Sequence, residues 1–151
     1  DMTVQSHDAM LREVLARRAA DPAVWPVTMA TIPQVRMTRC IVGEYVLRDD
    51  ENDVCFSDGI GRIADWRRRG YVYEIPYRAL YSARLKNVIA AGRCISATDA
   101  MWDVTRVIPV CAVTGEAAGT AAAMTDDFAA LDSARLRAEL RRKCDRPDIA
   151  N

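Results

Sequence analysis

The residues best suited to chemistry lie close together between Asn87 and Met124, where an apolar run leads into a glycine, an arginine and a helix. Residues 88–91 are apolar without polar alternation, which predicts a central strand covered on both faces, and Gly92 ends it at a tight turn. Ligands of α/β sheets collect at such strand ends. The Gly92 backbone could approach a cofactor chain or pyrophosphate, and the Arg93 guanidinium could pair with phosphate. The layout is that of a nucleotide-cofactor site.

A helix is predicted to begin between Arg106 and Pro109, because proline is tolerated in a first helical turn. The unpaired amides and the positive dipole end at that start attract a pyrophosphate or an electron-rich ring. Small residues then recur near helical spacing, which predicts very close packing against the sheet: Ala112, Gly115, Ala118, Gly119 and Ala122. The plain alternatives are a strand-ending turn with a surface Arg93 and an ordinary helix start with a solvated Arg106.

Several blocks of sequence, in this order along the chain, resemble one family. They are RMTRCIVGEYVL from Arg36, YEIPYRAL from Tyr73, AGRCIS from Ala91, RVIPVC from Arg106, GEAAGTAAA from Gly115 and DSARLRAELRR from Asp132. Together they are similar to the C-terminal end of bacterial FAD-dependent oxidoreductases, in the superfamily of fumarate-reductase-like and thioredoxin-reductase-like enzymes. Ordered blocks are more specific than any one of them alone.

This resemblance implies an FAD site and an oxidoreductase activity. FAD would accept electrons, as hydride, from a small-molecule substrate and pass them to an acceptor that the sequence does not identify. The start of the helix would lie by the pyrimidine end of the flavin, where reduction places negative charge that amide donors and a helix dipole stabilise. The cofactor-binding residues implied in this way are Gly92, Arg93, Arg106, Val107, Ile108 and Gly115. No catalytic residue is assigned.

Three further residues are candidates for binding the substrate. Arg36, Arg39 and Tyr45 match the RxxRxxxGEY block of the same family. The two arginines could clamp a carboxylate, and Tyr45 could donate a proton or a hydrogen bond. Structural ion pairs with nearby acids explain the arginines equally well.

The chain lacks the GxGxxG turn that an FAD-binding domain of this kind needs, since Gly59 and Gly61 are followed by no third glycine. Its 151 residues also make about one ordinary domain. We therefore expect a C-terminal fragment of α/β class, α+β in isolation. Residues 1–72 would form part of a substrate domain, and residues 73–151 the C-terminal part of an incomplete Rossmann-like FAD-binding domain.

The expected partner is the missing N-terminal FAD-binding half. Alone, the piece is predicted to be inactive, to retain no FAD and to self-associate through an uncovered sheet edge and apolar surface. The contrasting hypothesis is a non-enzymatic module that keeps a flavoprotein-like fold and binds another protein chain.

Composition excludes several other classes. The 21 basic residues balance 21 acidic ones, which disfavours a nucleic-acid partner, and the Arg67–Arg69 run is interpreted as a solvated face. No apolar run is long enough for a membrane span, and the opening residues lack a secretory pattern, so a cytoplasmic location is expected. Five widely spaced cysteines and one histidine, His7, favour neither a disulfide framework nor a metal site.

The other elements follow from local patterns. They are a helix over Ser6–Ala20, one or two strands within Thr31–Leu47, a weak helical pattern within Val54–Arg69, a strand from the alternation of Tyr71, Tyr73, Ile75 and Tyr77, and a final helix capped by Asp132 or Ser133 that carries Leu136 and Leu140.

Overall fold

The computed structural model of the chain describes residues 1–31 and 36–144, with side chains as far as Arg142. It divides into two compact units, Asp1–Thr38 and Arg39–Asn151. The boundary expected after residue 72 falls inside the second unit, within a strand. The assignment of residues 1–72 to a substrate domain and of 73–151 to a cofactor domain stays a prediction.

The first unit is built around one helix, α1 (Met2–Ala20). It starts four residues before the predicted Ser6 because the Asp1 carboxylate accepts the Thr3 N–H at 2.8 Å and caps it. No residue of α1 is buried, and Leu15 is 55% exposed. Met10 and Val14 are half-buried, and they line a cavity of about 300 Å³ together with Glu13, Arg17, Val24, Trp25 and Pro26.

The second unit combines short antiparallel strand pairs with three helices, so the α+β class expected for the chain is confirmed. Its elements are β1 (Gly59–Ala64), β2 (Val72–Pro76), β3 (Tyr81–Ser82), β4 (Leu85–Ile89), α2 (Asp99–Thr105), α3 (Ile108–Met124) and α4 (Ser133–Cys144). Strand β1 pairs with β2 and β3 pairs with β4, both antiparallel. The 3-10 turn Gly92–Cys94 links β4 to α2.

The strand expected at residues 88–91 is in place only in part, and its expected burial is wrong. Strand β4 ends at Ile89, pairs only with the two-residue β3, and exposes most of its side chains. Val88, for example, is 41% exposed. The apolar run forms a surface that the described residues leave exposed. An apolar sequence alone does not show whether its side chains are covered.

One further expectation is wrong, and one ambiguous segment contains a strand. The part of Thr31–Leu47 that is described forms no strand; single hydrogen bonds tie it to later segments, and an isolated parallel bridge joins Leu47 to Ala97. The weak helical pattern of Val54–Arg69 gives way to β1, because glycines at positions 59 and 61 weaken a helix while β2 offers a pairing partner.

The core lies between the β1–β2 pair and the helices. Alternation places Tyr73 and Ile75 of β2 inside, as predicted, and they pack in one cluster with Met101 of α2 and Val110 of α3. Helix α4 adds the fully buried Leu136 in a second cluster.

The expected starts of α3 and α4 are confirmed, since α3 begins at Ile108 and α4 at Ser133. The Asp132 carboxylate accepts the Ala134 N–H at 2.9 Å just before α4. Within the described part of the chain no single helix has the length and apolarity to cross a bilayer, although α2 and α3 reach that criterion as a pair bent by 88°.

Candidate functional site

The turn at Gly92 is held against α3. Gly92 has a φ of +65°, a conformation that favours glycine, and a Cβ there would lie 3.2 Å from Cys111 Sγ. Its N–H donates to Thr114 Oγ1 at 2.8 Å, and that hydroxyl donates to the Val110 carbonyl at 2.7 Å. The glycine therefore serves a close approach of the turn to α3, and its amide is already bonded within the chain.

Arg93 has a fixed backbone and an exposed side chain. Its carbonyl accepts the Trp102 indole N–H at 2.7 Å, which ties the turn to α2. Among the described residues its guanidinium forms no ion pair. Arg93 can therefore meet an anion from outside without first breaking an internal contact.

The junction between α2 and α3 contains three of the other predicted cofactor residues, Arg106, Val107 and Ile108. Helix α3 begins at Ile108, inside the window that the sequence predicts, and the helix axis turns by 88° there. Val107 is its extended N-cap residue and supplies no side-chain hydrogen bond, while Ile108 is 84% exposed. The start of α3 thus has no side-chain cap, and Pro109 in its first turn has no N–H to donate.

Arg106 is not a free cation at this junction. Its Nε lies 2.9 Å from Asp103 Oδ1, and its backbone N–H closes α2 on the Trp102 carbonyl. The positive character that remains at the junction comes mainly from the amide dipoles of α3.

The two glycines inside α3 lie on its open side. An added Cβ at Gly115 or Gly119 would meet nothing within 4 Å. The opposite side is buried and packs on the unit's own core through Val110, Thr114, Ala117 and Ala121. The expectation that the stripe of small residues packs on the described strands is therefore wrong for Gly115 and Gly119, whereas Ala118 of the same stripe belongs to the core cluster. Helix α3 also contacts β1 through Val113, which lies over Gly61.

Helix α2 is held in place by a buried carboxylate that the sequence did not single out. Asp65 binds Arg67 through both carboxylate oxygens at 3.1 Å, and this hydrogen bonding lowers the pKa of Asp65. Arg67 also donates to the Ala100 carbonyl at 2.8 Å, and Trp66 donates to that of Asp103 at 3.0 Å. The interpretation of the arginine run as a solvated face is wrong for Arg67.

The substrate candidates are split between the units. Arg36 belongs to the first unit, and Arg39 and Tyr45 to the second. The Tyr45 hydroxyl donates to Glu51, and desolvation together with that carboxylate raises the pKa of Tyr45. Its ring lies edge-on to Phe56. Tyr45 is therefore satisfied internally, and the substrate role of the three residues stays a prediction.

A second buried ion pair lies elsewhere in the second unit, between Asp58 and Arg78. Asp58 accepts the backbone N–H and the Nε of Arg78, both at 3.0 Å, in a second buried carboxylate contact. Across the described ranges, no three histidine, cysteine, aspartate or glutamate side chains gather as a metal site would require.

Comparison with known proteins gives one match. A family model described as FAD dependent oxidoreductase matches residues 61–140, more than half of the 151-residue chain. No curated protein and no solved structure gives a significant match. The matched range contains the Gly92 turn, the α2–α3 junction and all of α3, whereas Arg36, Arg39 and Tyr45 lie outside it.

Proposed function

The chain belongs to the FAD-dependent oxidoreductase family, and from this premise we propose that it is the C-terminal portion of an enzyme that moves electrons, as hydride, between a small substrate and FAD. The observation that carries the proposal is the family match over residues 61–140, which runs from within β1 to within α4. The absence of a GxGxxG turn from the sequence supports a separate N-terminal half that holds the pyrophosphate.

The open start of α3 fits a flavin. Val107 and Ile108 present backbone amides without a side-chain cap, and no acidic residue occupies the first turn of the helix. Arg106 is neutralised by Asp103, so the donors that remain are oriented dipoles rather than a mobile cation. Such donors suit the pyrimidine edge of the flavin, which becomes electron-rich on reduction.

The other proposed cofactor residues fit less directly. The Gly92 amide is bonded to Thr114, so Gly92 would act by letting the turn approach α3 rather than by binding phosphate. Among the described residues the Arg93 guanidinium forms no ion pair, which leaves it for phosphate. Gly115 would act by leaving room on the open side of α3 for the backbone of the N-terminal half.

When bound, the isoalloxazine ring of FAD accepts and releases the hydride. The residues of this chain orient and polarise that ring. The Val107 and Ile108 amides would donate towards negative charge on the pyrimidine, and the exposed Ile108 side chain would exclude water from the same edge. The isolated piece would be inactive and would not retain FAD.

The test is flavin content and reduction potential in the complete gene product. Ile108→Pro removes one amide donor at a position where proline suits a first turn, and Ile108→Ala keeps that amide. A charged hydrogen bond of about 1.5 kcal/mol corresponds to a fall of roughly 30 mV for a two-electron couple in Ile108→Pro. Equal potentials in the two variants would remove α3 from the flavin site, and a complete gene product without flavin would reject the proposal.

A second candidate is a protein-interaction module that keeps this fold without the chemistry. It is favoured by the Gly92 amide, which is occupied by Thr114, and by the bare side of α3. FAD titration of the complete gene product separates the two: saturable binding supports the enzyme, and no binding supports the module.

We also propose that the isolated chain self-associates. Large apolar side chains lie exposed on α1 and at the start of α3, with Leu11 at 49% and Ile108 at 84%. Sedimentation that shows only monomer at high protein concentration would contradict this.

A further inference from the structure

A cavity of about 390 Å³ lies between β1, β2 and α4, away from the α2–α3 junction. Its lining consists of Gly59, Ile60, Gly61, Glu74, Arg137, Leu140 and Arg141. This volume is in the range of small-molecule sites, which combine an apolar wall with a few polar groups.

Both signs of charge line this cavity without touching each other. Arg137 and Arg141 are one helical turn apart on α4, so their side chains share a face. Within the described residues neither guanidinium forms an ion pair with Glu74. Elsewhere in the same unit, Asp58 binds Arg78 and Asp65 binds Arg67 at 3.0 to 3.1 Å. Opposite charges that share a space and remain apart leave room for a group between them.

Anchors to the backbone keep the charges separated. An Arg137 η nitrogen donates to the Ser57 carbonyl at 2.6 Å, and Glu74 accepts the Phe56 N–H at 2.5 Å. A Cβ at Gly59 would lie 2.2 Å from Glu74 Cδ, so the glycine provides the space in which this carboxylate sits. Arg137 and Glu74 are thus each held by a backbone contact in the lining of one cavity, and Arg141 lies one turn further along α4.

We propose that this cavity binds a free α-amino acid with an apolar side chain. The ligand carboxylate would pair with Arg137 and Arg141, and its ammonium group with Glu74. Ile60 and Leu140 supply the apolar wall for its side chain. A simple anion would pair with the arginines but would be repelled by Glu74. A simple cation would pair with Glu74 but would be repelled by the arginines. The inference does not depend on FAD.

The experiment is calorimetric titration of the chain with three matched probes. L-Leucine carries both charges, 4-methylpentanoate lacks the ammonium group, and 3-methylbutylamine lacks the carboxylate. We expect saturable leucine binding, roughly tenfold tighter than either analogue. No leucine binding up to roughly 10 mM, or equal affinity for leucine and 4-methylpentanoate, would overturn the proposal.

Substitutions of the charged lining residues test which of them binds each end of the ligand. Glu74→Gln keeps an acceptor for the Phe56 amide and should weaken leucine roughly tenfold without weakening 4-methylpentanoate. Arg141→Gln is an exposed change that should weaken both of these probes. Arg135→Gln makes the same charge change on α4 outside the cavity and should alter neither. Equal effects of Arg135→Gln and Arg141→Gln would indicate a general charge effect and overturn the site.

Discussion

The two sides of α3 differ in how completely the chain satisfies them. On the inner side, Thr114 holds the Gly92 amide, Cys111 contacts the turn, and Ala117 and Ala121 are buried. On the outer side, Gly115 and Gly119 have no neighbour within 4 Å of an added Cβ. One helix therefore combines a finished internal interface with a bare surface.

The difference shows that glycine has two separate uses here. Gly92 is required by a positive φ and by a tight contact inside the described unit. Gly115 has neither constraint, so its lack of a side chain costs helix stability with no return inside the described residues. Such a residue suits a surface that another backbone covers, in agreement with the proposed N-terminal half.

The largest expected effect comes from breaking the ion pair between Asp65 and Arg67, which supports α2 beside the inner side of α3. Asp65→Asn removes the buried carboxylate that binds Arg67 and, through it, α2. Loss of one partner of a buried ion pair should lower the free energy of unfolding by about 3 kcal/mol at neutral pH, measured by urea unfolding. Arg69→Gln changes an exposed charge in the same loop and should have little effect.

The same contact predicts a pH dependence. The pKa of Asp65 is lowered in the folded chain from its ordinary 3.8. Its contribution to stability is therefore complete above that value and is lost as the pH falls through the lower folded pKa. Urea unfolding in acid should show a smaller loss of stability for Asp65→Asn than for the parent chain, and equal losses would contradict the assignment.

A smaller effect is expected from removing the hydrogen-bond acceptor of the Gly92 amide. Thr114→Val keeps the shape but removes the hydroxyl, which leaves a buried donor unpaired and should cost about 2 kcal/mol. Thr105→Val is the matched control: it removes a buried hydroxyl that donates to the Trp102 carbonyl within α2. Equal losses in thermal unfolding would mean that the Gly92 contact contributes nothing.

The sharpest comparison uses one substitution at two positions. Gly92→Ala forces an alanine into positive φ against Cys111 and should lower the free energy of unfolding by about 1–2 kcal/mol. Gly115→Ala should raise it by about 0.8 kcal/mol, because alanine favours an exposed helix interior. The two sides of α3 are distinguished only if the signs differ in denaturant unfolding.

Sequence patterns located the elements whose periodicity reflects their burial. Tyr73 and Ile75 alternate into the core, and Pro109 lies in the first turn of α3. Patterns failed where burial depends on a distant segment: β4 is apolar but exposed, and β1 forms because β2 pairs with it.

For the candidate site, the sequence located the Gly92 turn and the start of α3, but it did not show their backbone conformation or their contacts. Gly92 and Gly115 are the same residue in opposite surroundings, and a φ of +65° is visible only in the fold. Arg67 stands in a run of three arginines, yet its guanidinium bonds the Asp65 carboxylate and the Ala100 carbonyl. The family match at residues 61–140 covers these residues, but it does not distinguish a buried glycine from an exposed one or a paired arginine from its neighbours.

The parallel bridge between Leu47 and Ala97 sets an order for synthesis on the ribosome. Leu47 is fully buried, and its amide and carbonyl bond Ser96 and Thr98. A nascent chain grows from its N-terminus, so Leu47 stays uncovered until Thr98 has left the exit tunnel. We expect this stretch to be exposed to chaperones during translation, whereas the β1–β2 hairpin can close as soon as Pro76 emerges.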